Sequence, residues 1–105
     1  MFSVNEKSTA VLTVSFKDEN GIAVAPSSGT YTITDVDSGT VITASTPFTP
    51  SGTTHDLTIT PTENRILTTS NLFEKRKVTV TFTYLVTKQG TAEYIYLVNN
   101  LGNIT

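Results

Sequence analysis

Residues 74–86 read EKRKVTVTFTYLV, four charged side chains followed directly by nine that carry no charge. Successive side chains of an extended chain point to opposite sides, so Val78, Val80, Phe82, Tyr84 and Val86 share one face and Thr79, Thr81, Thr83 and Leu85 the other. The first face has to be core. The second is the functional question, because threonine tolerates both water and a protein partner. At about 3.3 Å per residue, a strand over 77–86 reaches about 33 Å, the height of a small sandwich, and belongs at the centre of its sheet.

The rest of the chain is punctuated in the same style. Residues 10–16, AVLTVSF, alternate Leu12, Val14 and Phe16 with Thr13 and Ser15, a strand with one buried face. KDENG at 17–21 supplies a tight turn, and IAVAP is a short extended piece stopped by Pro26. YTITDV at 31–36 and TVIT at 40–43 flank Asp37, Ser38 and Gly39, a hairpin signal. Residues 44–53, ASTPFTPSGT, hold two prolines and read as an extended loop or edge anchored by Phe48. Alternation resumes over 54–60, and Thr60-Pro61-Thr62-Glu63 then has the spacing of a helix cap, which predicts one short helical turn through 64–67. TKQG at 87–90 turns the long strand back into TAEYIYLV at 91–98, so that the last two strands form the longest hairpin. Seven or so strands with turn signals at roughly 8–12-residue spacing and a single helical turn describe a two-sheet antiparallel sandwich, with a small barrel as the alternative.

At 105 residues the chain has the length of a single domain, 1–105, and folding at this size buries roughly two-thirds of the unfolded surface. Without cysteine, stability rests on packing and sheet hydrogen bonds. A net charge of -2 and a pI near 5.2 argue against nucleic acid or an anionic membrane as partner. MFSVNEKSTA lacks the basic start and apolar run of a signal peptide, and no stretch has the length of a membrane-spanning helix, so a soluble chain made without export is expected. Only 15% of residues are charged, against about 25% in ordinary globular proteins. Two readings fit: threonine suits a pleated surface, or neighbours cover part of that surface, since interface cores are depleted in charge.

Residue types for catalysis are scarce. His55 is the single histidine and, beside Asp56 at a strand start, reads as a structural rim residue. Asp35-Val36-Asp37-Ser38-Gly39 opens like a calcium loop, but the sixth and twelfth places hold Thr40 and Thr46 instead of Gly and Glu. No nucleophile elbow or phosphate-binding glycine pattern occurs, so neither an enzyme nor a cofactor or metal is expected. Glu74, Lys75, Arg76 and Lys77 read either as a solvated strand start or as a salt-bridged dock for a neighbouring subunit. Tyr94 and Tyr96 share a face with Ala92 and Val98, which favours core packing over a carbohydrate-binding platform. Asn103-Ile104-Thr105 matches a glycosylation sequon by chance.

The hairpin TYTITDVDSGTVI, the capped turn in DLTITPTENRIL, EKRKVTVTFTY and the closing strand AEYIYLVNNL together resemble the small immunoglobulin-like sandwich proteins that are accessory parts of tailed-phage particles. The resemblance covers most of the chain and implies an all-β, antiparallel, immunoglobulin-like sandwich of about seven strands. It also implies a non-enzymatic capsid, neck or tail protein, made in the host cytoplasm and located in the virion. The antibody-type cysteine pair and core tryptophan are missing, which separates the chain from antibody-like relatives. On this reading the partners are protein subunits of a larger assembly or further copies of the chain. The contact regions are Met1 and Phe2, the loop around Phe48, Glu74, Lys75, Arg76 and Lys77, and the face of Thr79, Thr81 and Thr83. A free-standing module that binds glycans or cell surfaces is the competing expectation.

Overall fold

The structure, a computed structural model, describes residues 2–101. Met1 and the sequon at Asn103 lie outside the described residues. Seven strands form among the described residues: β1 (Phe2–Asn5), β2 (Ala10–Ser15), β3 (Ser28–Asp35), β4 (Val41–Phe48), β5 (Thr54–Ile59), β6 (Phe73–Tyr84) and β7 (Lys88–Asn99). One sheet has the order β1-β7-β6-β3-β4, and β2 and β5 make a second, two-stranded sheet. This is an all-β, two-sheet sandwich, with β6 at the centre of the larger sheet. All pairings are antiparallel except one, since β1 runs parallel to β7 with Phe2 beside Tyr96 and Val4 beside Val98.

The expected central strand is central, but it starts at Phe73 and ends at Tyr84. Its alternation runs unbroken through the charged cluster, so Glu74 and Arg76 take the same inward parity as Val78, Val80, Phe82 and Tyr84. Leu85, Val86 and Thr87 form the hairpin loop, and Val86, expected in the core, is 87% exposed. The loop sits here rather than at 87–90 because Phe82 pairs with Gly90 and its ring fills the space where a side chain on Gly90 would go. Gly29 is the second case: it lies between Phe82 on β6 and Phe48 on β4, and an added Cβ would come within 2.6 Å of Phe48 Cζ. A row of Phe, Gly, Phe and Gly thus crosses four strands, each ring lying over a neighbouring glycine.

β4 continues through Ser45 and Pro47 to Phe48, as an edge strand where a proline costs no central hydrogen bond. Between β5 and β6 the cap spacing works as read: Glu63 N donates to Thr60 Oγ1 at 3.3 Å and Thr60 N to Glu63 Oε1 at 2.8 Å. The turn covers residues 61–64, earlier than the expected 64–67, and among the described residues no helix follows it.

Leu12, Val14, Leu57 and Ile59 of the small sheet, with Phe16 just past the end of β2, close on Ile33, Val78, Val80, Phe82, Tyr96 and Val98 of the large one. Each such fully buried apolar side chain contributes about 1.5–3 kcal/mol. The molecule measures 50 × 21 × 21 Å, and its radius of gyration of 14.8 Å exceeds the roughly 13 Å of a round domain this long. Strands β6 and β7, of 12 residues each, reach about 40 Å.

Candidate interaction surface

The charged cluster at the start of β6 divides by parity. Arg76 is fully buried and Glu74 nearly so, which corrects the expectation that all four residues are solvated or dock a neighbour. Arg76 Nε donates to Asp35 Oδ1 at 3.1 Å, and Nη2 to Glu74 Oε1 at 2.5 Å. The remaining guanidinium donors reach the Glu63 and Arg65 carbonyls at 3.2 and 2.7 Å. Glu74 in turn accepts from the Leu67 and Thr68 N–H groups, both at 2.9 Å, and from the Asn71 amide at 3.0 Å. Burial raises both carboxyls. For Asp35 the hydrogen bonds from Ser38 and Arg76 outweigh it, and for Glu74 those from Leu67, Thr68, Asn71 and Arg76 do, so both are held below the ordinary carboxylate range. Beside this group Tyr96 donates its hydroxyl to Asn64 Oδ1 at 2.8 Å, and Asn64 Nδ2 donates to the Ser8 carbonyl at 2.8 Å. Residues 60–72, which have few apolar anchors, are thereby fastened across the lower half of the sheet. This network is structural.

The opposite face of β6 is the one the sequence left open, and the small sheet does not cover it, because β2 and β5 pack on the inner side. Thr81 lies between Thr30 of β3 and Thr91 of β7, Thr79 between Thr32 and Glu93, and Thr83 between Ser28 and Gln89. Lys75 and Lys77 also point outward, next to Leu97 and Ile95. Lys77 Nζ meets Glu93 Oε2 at 3.3 Å in an exposed pair, a kind worth about 0–1 kcal/mol. The upper part of this face is therefore a neutral array of hydroxyls and the lower part mixes apolar and basic groups. It can accept and donate many hydrogen bonds without desolvating charge, which suits contact with another protein.

The other expected contact residues are less free. Phe48 is half-buried at the rim, its ring 4.8 Å from His55 and 6.4 Å from both Phe16 and Tyr31. Phe2 stacks on Tyr96 at 5.1 Å and 3°. Tyr94 turns inward, where its hydroxyl accepts from Ser15 N at 3.2 Å, and Tyr96 is buried, so neither offers a sugar a flat exposed ring. His55 packs on Phe48 and meets Ser51 Oγ at 3.5 Å. The sequence reading missed the hairpin tip. Leu85 and Val86 are 69% and 87% exposed, and both have left-handed backbone, with φ of 47° and 66°. The available signal was Leu85 itself, the one large apolar residue among the outward threonines.

No protein-family model, curated protein or solved structure matches the chain.

Proposed function

We propose that the chain is a non-catalytic structural protein of a virion, a capsid-decoration or a neck or tail accessory piece, that docks on neighbouring subunits through the outer face of its five-stranded sheet. The observation that carries this reading is the uncovered array of Thr79, Thr81, Thr83, Thr30, Thr32 and Thr91, on which the charged side chains stand only toward one end. The placement in a phage particle is supported by the motif-level resemblance described above. Docking works by burial and hydrogen bonding rather than by reaction, and symmetry repeats each contact so that modest affinities add up. The exposed apolar tip at Leu85 and Val86 lies at one end of the same hairpin and extends the contact. No cofactor, nucleic acid or membrane is required.

The test is a Thr81→Lys substitution in the full chain, produced together with the rest of its assembly. A lysine in the middle of the array leaves an isolated domain folded, because position 81 is outward and partly exposed. It should lower incorporation into particles at least tenfold, since an unpaired charge is then buried at the contact. Undiminished incorporation would remove the face from the proposal.

A further inference from the structure

The first strand is held differently from the other six. β1 pairs with β7 alone, over four residues, in the parallel arrangement that is the weaker kind of ladder. Its inward side chains, Phe2 and Val4, are half-buried, and Phe2 sits at the mouth of an open cleft lined by Leu12, Tyr94 and Ile95. Withdrawing β1 uncovers Tyr96 and Val98 of β7, both fully buried beneath it, so the vacated place has to be refilled by an equivalent strand. That place is a slot along β7, shaped for one aromatic and one valine two residues apart, with Tyr96 as the stacking partner. The connection to β2 is a tight four-residue turn, residues 6–9, in which Lys7 has φ 56°, a left-handed conformation in a residue with a Cβ.

We propose that β1 exchanges between two copies of this chain, each placing its Phe2 and Val4 in the slot beside the other's β7. The exchanged strand makes the same contacts as the resident one, so these cancel, and the hinge decides the balance. The closed form holds Lys7 in its left-handed turn and gains the hydrogen bond from Lys7 N to the Asn64 carbonyl, at 2.9 Å. The exchanged form gives up that bond and the one from Asn64 Nδ2 to the Ser8 carbonyl, and in return lets residues 6–9 extend, reaching up to about 13 Å toward the neighbour. Short hinge loops under strain favour this outcome where copies are crowded, as in a repeated array. The slot selects a second copy over an unrelated strand because the Phe-x-Val spacing that fits it is this chain's own.

Two full-length single variants, Val4→Cys and Val98→Cys, are mixed at high protein concentration, warmed briefly, cooled and oxidised. Val4 and Val98 are direct partners across the β1–β7 ladder, so a disulfide between the two chains forms only where β1 has crossed over. The expected result is a covalent heterodimer. The double variant in one chain is the control, and intramolecular closure in it together with no linkage in the mixture overturns the proposal. The unmodified chain gives an independent reading by light scattering on a sizing column. A dimer fraction should rise with concentration, and Lys7→Gly, which makes the left-handed turn comfortable, should lower dimer association about tenfold. A monomer at every concentration, or a dimer indifferent to Lys7→Gly, counts against exchange.

Discussion

Replacing Arg76 with methionine keeps much of the side-chain volume and removes the charge on which the lower half of the molecule is built. The guanidinium is fully buried and bonded to Asp35, Glu74 and two carbonyls. Without it, two buried carboxylates lose their counter-charge and the Glu63 and Arg65 carbonyls lose a donor each. Breaking a buried pair from one side costs about 3–5 kcal/mol, out of the 5–15 kcal/mol that holds a typical domain together. The assay is urea unfolding of both proteins by linear extrapolation at pH 7, with the slope checked for constancy. The pH dependence separates charge from packing. Asp35 and Glu74 titrate below their ordinary values in the folded protein, so the stability they contribute is present above their unfolded values and is lost as pH falls through the folded ones. In Arg76→Met that contribution is smaller, so the gap between the two proteins should narrow below about pH 4. A loss under about 1 kcal/mol at pH 7, or a gap independent of pH, would refute the view that this charge network fastens residues 60–72.

Gly90→Ala should cost about 1–3 kcal/mol in the same unfolding assay, because its Cβ meets the buried Phe82 ring, which is itself held edge-on against Phe16. Gly29→Ala should cost less, since the Phe48 ring it meets is at the rim and can swing; equal losses would mean that Phe48 is as fixed as Phe82. Thr60→Ala removes the cap on residues 61–64 and should lower stability by about 1 kcal/mol, with Thr60→Ser restoring it. Val86→Asn should raise the stability of the isolated domain by about 1 kcal/mol, as asparagine accepts left-handed backbone more readily than a β-branched residue. If the tip contacts a neighbour, the same change weakens assembly, and a substitution neutral in both assays would show the tip to be neither strained nor used.

The sandwich was legible because period-two alternation in segments such as AVLTVSF and VTVTFTY fixes both the strand and its buried face. Strand ends were less legible, for two physical reasons. At 73–77 the charges concealed the alternation, yet Glu74 and Arg76 obey it, and the parity that placed Val78 inside would have placed them there too. At 85–90 a turn-like sequence, TKQG, competed with a packing requirement seen only in three dimensions, the need of the Phe82 ring for a glycine opposite. Local turn chemistry lost to packing. The outward direction of Thr79, Thr81 and Thr83 was read correctly, but their alignment with Thr30, Thr32 and Thr91 depends on cross-strand register, which no single strand encodes. The parallel pairing of β1 was likewise invisible, since a four-residue strand carries too little pattern to name its partner.

Whether the threonine face belongs to an assembly can be read from the sedimentation position of the native chain in a lysate of the cells that produce it. A face used for docking carries the chain with particles of megadalton size, and Thr81→Lys loses that migration. A native chain that sediments entirely as free monomer or dimer would contradict that use.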